Sequence, residues 1–303
     1  MAGICEGRVV IVTGAGRGLG RAHALAFAAE GAKVVVNDLG AELDGSGGST
    51  GPAGEVVDQI RAMGGEAVAN GADVADWAQA EAMVAQAVEA FGHLDVVVNN
   101  AGFLRDRMLA NTSEEEWDAV IRVHLKGHFA PTRAAVAHWR DRTKAGEEVQ
   151  GRIVNTSSGA GLMGSVGQGN YSAAKAGIAA LTLVESAEFA RYGVTANAVA
   201  PAARTRMTEK VFADTMSAPG EGEFDAMAPE NVSPLVVWLG SLDSAGVTGR
   251  VFEVEAGKIS VADGWQHGPE VDKGARWEPR EVGPAVLGLL AEAPTPAPVY
   301  GAS

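Results

Sequence analysis

Tyr171 and Lys175 stand four residues apart in the stretch Gly169-Asn170-Tyr171-Ser172-Ala173-Ala174-Lys175. The segment reads as helix through Arg191, which sets both side chains on one face. A free phenol has a pKa of about 10, too high for a useful base near neutrality. An ammonium beside it favours the phenolate, so the spacing predicts a Tyr171 made acidic by Lys175. Upstream, Ser158 closes an apolar run, Arg152-Ile153-Val154-Asn155-Thr156-Ser157, and its hydroxyl can brace a substrate oxygen. Ser157 is the rival and a capping hydroxyl the plain alternative; alternation along the strand favours Ser158. Such a trio suits proton transfer in an alcohol–carbonyl interconversion, provided a neighbouring group accepts hydride.

The elements around these residues supply a place for that acceptor. Arg8–Thr13 is an apolar β-branched run that feeds Gly14-Ala15-Gly16-Arg17-Gly18-Leu19-Gly20 and then an Ala-rich helix. Strand, glycine turn and helix open a dinucleotide-binding unit, in which glycines let backbone N–H groups approach a pyrophosphate at the helix N-terminus. Asp38 ends a second strand, Lys33–Asp38, where a carboxylate accepts from both adenosine ribose hydroxyls. It would also repel a 2′-phosphate, which points to NAD rather than NADP. Arg17 pulls the other way and is given less weight than Asp38, whose own plain reading is a solvated turn residue.

Further on, Asp44–Gly54 reads as a Gly/Ser loop, followed by a helix over Gly54–Met63 and a strand over Glu66–Ala69. Asp73 and Val74 are placed to line an adenine pocket, although Asp73 could equally cap the helix Trp77–Phe91. A fourth strand, Asp95–Asn99, ends in Asn100-Ala101-Gly102, small enough for a cofactor to lie close. Thr112 or Ser113 starts a long helix reaching Arg140. A sixth strand, Val194–Ala200, leads to a Met-bearing stretch, Arg204–Ala218, read as a flap over the substrate. A helix at Pro229–Gly240 and a strand at Gly249–Val254 complete an α/β fold, a Rossmann-type doubly wound parallel sheet of about seven strands with helices on both faces. Residues 1–264 form the catalytic domain; 265–303 form a C-terminal extension expected to pack on it or on a neighbouring subunit, given Trp265, Trp277 and Val286–Leu290.

A 303-residue chain with 47% hydrophobic and 20% charged residues is a globular protein with a substantial core. Its net charge of −14 disfavours nucleic acid as a partner. One cysteine, Cys5, suits a reducing compartment; with no signal region and no membrane-length run, the expectation is cytoplasmic, with no membrane partner and no metal.

Together, Thr13-Gly14-x3-Gly18-x-Gly20, Asp38, Asn99-Asn100-Ala101-Gly102, Ser158 and Tyr171-x3-Lys175 resemble the short-chain dehydrogenase/reductase family, in the family's own order, over residues 7–260. The resemblance implies catalysis by Ser158, Tyr171 and Lys175, with Lys175 also holding the nicotinamide ribose. It also implies dimers or tetramers formed through the helices Trp117–Arg140 and Asn170–Arg191. A narrower likeness runs through Val34–Gly40, Arg105-Asp106-Arg107, Arg122-Val123-His124-Leu125, Arg206-Met207-Thr208 and Gly274–Glu278. These resemble the (3R)-hydroxyacyl-CoA dehydrogenase domains of peroxisomal multifunctional enzymes of type 2, implying NAD-dependent oxidation of a 3-hydroxyacyl-CoA in lipid or sterol side-chain metabolism. With no hydratase or sterol-carrier module and no peroxisomal address at Gly301-Ala302-Ser303, a free-standing bacterial-type enzyme is expected.

Two departures stand out. His124 takes a position where most of the family has asparagine, whose backbone carbonyl holds a water leading to the lysine; a buried structural histidine is the alternative. Pro201 is followed by Ala202 where the family has glycine, which separates Thr205, its carboxamide contact, from the matched motif. A hydroxysteroid or other secondary-alcohol dehydrogenase shares all these motifs. A non-catalytic NAD(H)-binding regulator would not need all three catalytic side chains.

Overall fold

The computed structural model describes residues 2–40, 51–204, 223–262 and 264–302. The apolar run after Arg8 forms β1 (Val9–Thr13), buried at every position, and the glycine turn leads into α1 (Gly18–Ala29). Then come β2 (Lys33–Asn37), α2 (Gly51–Ala62), β3 (Ala67–Asn70), α3 (Trp77–Phe91) and β4 (Val96–Asn99). Beyond β4 lie α4 (Glu114–Ile121), a π-helical turn (Arg122–Lys126), α5 (Gly127–Lys144) and β5 (Gly151–Thr156). The second half contains α6 (Gly159–Met163), α7 (Gly169–Phe189), β6 (Val194–Ala202), α8 (Ser233–Gly240), β7 (Val251–Glu255), β8 (Lys258–Ala262) and α9 (Pro279–Glu292).

One eight-stranded sheet has the order β3-β2-β1-β4-β5-β6-β7-β8. Strands β1 to β7 are parallel, and only β8 runs antiparallel, in a hairpin with β7. The sheet therefore exceeds the expected seven strands by one edge strand. Alternation along the buried strands feeds two cores. Val10, Val12, Val34 and Val36 face Phe27 of α1, Ile60 of α2 and Leu239 of α8, while Val9, Ile11, Val35, Val97 and Ile153 face Met83 of α3 and Trp139 of α5. Trp139 is fully buried and its indole N–H donates to the Leu94 carbonyl at 2.7 Å, so its polar atom is satisfied as its ring is packed.

The long helix expected to reach Arg140 is instead broken at the π turn and continues to Lys144. Its start is as anticipated: Ser113 accepts from Glu116 N–H and the Glu116 carboxylate accepts from Ser113 N–H, a reciprocal cap. Strand order reverses direction between β1 and β4, and a parallel sheet opens its ligand crevice at the carboxyl ends there. Most of the flap and part of the Gly/Ser loop, Thr205 included, lie outside the described residues. No helix among the described residues is long and apolar enough to cross a membrane. Trp265 and the face of α9 carrying Val286, Leu287 and Leu290 are exposed in this chain.

Candidate active site

The crevice begins at the glycine turn. Thr13 Oγ1 accepts from the N–H groups of Asn100 and Ala101 at 2.9 and 3.1 Å, and the Asn100 side chain donates to the Thr13 and Gly14 carbonyls at 2.9 and 3.2 Å. Asn100 thus braces the turn against the end of β4. Gly14 has φ +61°, and a Cβ there would lie 2.7 Å from Ala101 Cα, so the approach requires glycine. At the start of α1, Arg17 makes no side-chain cap and the first turn holds no acid. The amides of Gly18, Leu19 and Gly20 are thereby left to an anion, with the helix dipole in its favour. Asp38 follows β2 and reaches the same turn, accepting from Gly16 N–H at 2.8 Å and Gly40 N–H at 2.7 Å. Close-approach glycines, an uncapped helix start and a carboxylate beside them fit a dinucleotide.

The flanking residues divide. Val74 is buried against the start of α5, where a Cβ on Gly127 would lie 2.7 Å from its Cγ2. Asp73 does not cap α3; Asp76 does, accepting from Gln79 N–H at 2.9 Å. Asp73 instead accepts from Ala75 N–H at 2.9 Å and pairs with Arg122, because it stands one turn too early to reach the first amides of α3.

One cavity gathers Leu19, Asn100, Gly102, His124, Ser158, Gln168, Tyr171, Lys175 and Pro201. Ser158 is partly exposed, caps α6 through Ala160 N–H at 3.2 Å, and lies beside the Tyr171 phenol, whose pKa its hydroxyl pulls down. The same residue thus caps a helix and lines the cavity. Ser157 is buried and donates to the Lys175 carbonyl at 2.9 Å, a packing role. On α7, Lys175 Nζ lies 5.5 Å from the centre of the Tyr171 ring, so the two side chains share a face as their spacing predicts. The Lys175 amine is buried and donates to the Thr156 carbonyl at 2.6 Å.

The electrostatics correct the expectation of an acidified phenol. Burial pulls the Lys175 amine down from 10.5 to about 7. The Tyr171 phenol is raised, first by burial and then by the Asp106 carboxylate, against the opposing hydrogen bond from Ser158. Removing both groups from water disfavours both charges.

His124 sits in the π turn, fully buried, with Nε2 2.7 Å from the Phe103 carbonyl and 3.1 Å from its nitrogen. Its ring meets Tyr171 edge-on, 5.2 Å between centroids at 87°. Burial, then the Lys175 charge, holds the imidazole down at about 3, so it is neutral and packs the tyrosine. Gly102 makes room for it, since a Cβ there would come within 2.2 Å of His124 Cε1.

Two site residues had no assigned role from sequence. Gln168 lines the cavity and donates through Nε2 to both oxygens of Asp106 at 3.2 and 3.1 Å. The Asp106 carboxyl is itself raised by burial. Neither belongs to a periodic pattern; their only signals were adjacency to Gly169 and membership of Arg105-Asp106-Arg107.

Comparison with known proteins agrees with this geometry. A short chain dehydrogenase family profile matches residues 8–216. The chain is 48% identical over 288 residues to hydroxyacyl-CoA dehydrogenase ChsB1 of Mycobacterium tuberculosis, covering 91% of this chain and 86% of that protein. It is 47% identical over 254 residues to peroxisomal multifunctional enzyme type 2 of Mus musculus, covering 84% of this chain and only 32% of that longer protein. A crystal structure of a short chain dehydrogenase from Mycobacterium avium superposes with a TM-score of 0.89 at 68% identity, over 99% of this chain and 100% of that one. The chain belongs to the short-chain dehydrogenase family of oxidoreductases.

Proposed function

We propose that this protein is an NAD-dependent dehydrogenase interconverting a (3R)-3-hydroxyacyl-CoA and its 3-oxoacyl-CoA. The observation that carries this is the meeting of Ser158, Tyr171 and Lys175 in one cavity with Leu19 of the glycine turn and Gly102 after β4. The names of the relatives supply the substrate class.

The dinucleotide would be held by Gly14, Gly16, Arg17, Gly18, Leu19, Gly20, Asp38, Asp73, Val74, Asn100, Ala101 and Gly102, with Asp38 disfavouring a 2′-phosphate. When bound, the oxidised nicotinamide supplies the hydride acceptor and a positive charge. The rest of the work falls to the protein. Ser158 Oγ donates to the substrate oxygen, and Tyr171 Oη takes the hydroxyl proton during oxidation or returns it during reduction. Lys175, with its amine near 7, can be charged or neutral around neutral pH and so can follow the phenol's change of state. We assign the protein to the cytoplasm, where its lone buried Cys5 stays reduced, and expect a homodimer or homotetramer.

The test is turnover on matched panels. Purified protein is assayed with NAD and NADP on (3R)- and (3S)-3-hydroxyacyl-CoA esters, hydroxysteroids and simple secondary alcohols. Turnover of the (3R)-thioesters with NAD, at a kcat/KM at least about tenfold above the other pairings, is expected. Preference for a steroid or a free alcohol contradicts the substrate, and preference for NADP contradicts the role of Asp38.

A further inference from the structure

The chain between the two catalytic hydroxyls is held from outside by residues far along the sequence. α6 ends at Met163 and α7 begins at Gly169, so residues 164–168 connect the helix that Ser158 caps to the helix that carries Tyr171. That connection borrows its hydrogen-bond partners from both sides. Toward the body of the protein, Arg107 N–H donates to the Gly167 carbonyl at 2.7 Å and Arg107 pairs in parallel with Gln168. Toward the C-terminal extension, Val166 N–H donates to the Tyr300 carbonyl at 2.9 Å, Tyr300 N–H donates to the Gly164 carbonyl at 3.2 Å, and Ser165 pairs in parallel with Tyr300.

Side chains reinforce this ladder. The Tyr300 ring lies on Gly159, directly after Ser158, where a Cβ would come within 3.0 Å of both Tyr300 Cε2 and Oη. Val299 covers Gly164, where a Cβ would stand 3.3 Å from its Cγ1. None of the described residues beyond β8 is buried, so the extension is not seated here by a hydrophobic core of its own. Its backbone is spent on the rim of the cleft.

We infer that Tyr300 is a positioning residue for substrate: it fixes residues 164–168, and through Gly159 the approach to Ser158, so that the reacting carbon is held against the catalytic hydroxyls. The dinucleotide side of the crevice, from Gly14 to Gly20 and at Asp38, shares none of these contacts. Loss of Tyr300 should therefore weaken substrate use and spare dinucleotide binding. The substrate arm of the inference rests on the proposed function.

The experiment compares Tyr300→Ala, Tyr300→Phe and a chain ending at Pro298 with the full chain. It reads KM and kcat on the best acyl-CoA substrate, NADH affinity by fluorescence, and hydrogen exchange at the Val166 amide. Tyr300→Ala should raise KM about tenfold or more with NADH affinity unchanged. Tyr300→Phe, which keeps the ring on Gly159, should stay within about twofold of the full chain. The shortened chain should lose Val166 protection. A Tyr300→Ala variant with the full chain's KM overturns the inference, and so does a parallel loss of NADH affinity, which would mean general loosening. If the full chain turns over no acyl-CoA, the substrate assignment falls. The Val166 amide then decides this inference: lost protection supports it and retained protection overturns it.

Discussion

Three neighbours bear on the Tyr171 proton, and they do not act alike. Ser158 stabilises the phenolate by donating to it, Asp106 opposes it through charge, and Lys175 is too desolvated to be a full cation at neutral pH. Asp106 is the one of the three that can be changed without removing a group from the proposed chemistry. Asparagine keeps an acceptor for the Gln168 amide and removes the charge that raises the phenol. Asp106→Asn should therefore shift the pH profile for alcohol oxidation toward lower pH, because a less crowded negative field lets Tyr171 ionise sooner. A profile that stays in place, or moves toward higher pH, contradicts this role. At this scale the shared face of Tyr171 and Lys175 was legible from spacing, since residues four apart on a helix lie one above the other. The direction of the phenol's shift was not legible, because desolvation depends on Phe103, His124 and Pro201 arriving from other elements.

At the scale of the elements, β5 and α7 are joined by a buried polar chain. Asn99 donates to Thr132 and Asn155, and Asn155 donates to Thr182 and to the Glu185 carboxylate at 2.9 and 2.7 Å. Burial raises the Glu185 carboxyl from 4.5 to about 8. The folded state thus keeps this proton where the unfolded chain has lost it. The stabilisation is fully present below 4.5 and is lost as pH rises through about 8. Glu185→Gln should leave the protein more stable than the parent by about 1–3 kcal/mol at pH 8, with the difference shrinking toward pH 4. Urea unfolding at both pH values checks this; an equal pH dependence in the two proteins contradicts it. Other features of the elements escaped sequence reading for definite reasons. The π turn leaves helical periodicity intact on either side while turning His124 inward. β8 is an edge strand with Ile259 and Val261 both exposed, so it lacks the buried pattern that revealed the others. By contrast β1, β2, β4 and β5, buried at almost every position, were plain as β-branched runs.

For the molecule as a whole, surface apolar groups point to self-association. Phe129 on α5 and Leu183 and Val184 on α7 are all exposed, on the helices whose family resemblance implies subunit contacts. Light scattering should report a dimer or tetramer, and Leu183→Asp combined with Val184→Asp should lower the assembly state; a full-length protein that is monomeric throughout its working range contradicts this. The overall order of strands and helices was legible because each βα unit announces itself locally. The contact of Tyr300 with residues 164–166 was not, since it joins segments more than a hundred positions apart with no shared pattern. The proposed chemistry turns on Tyr171 exchanging a proton beside a dinucleotide seated on the glycine turn. Its most direct test is Tyr171→Phe, with NADH affinity and turnover measured on the same preparation. The prediction is NADH affinity within about twofold of the parent and turnover lowered by about a thousandfold or more. Turnover near the parent's level in that variant would contradict it.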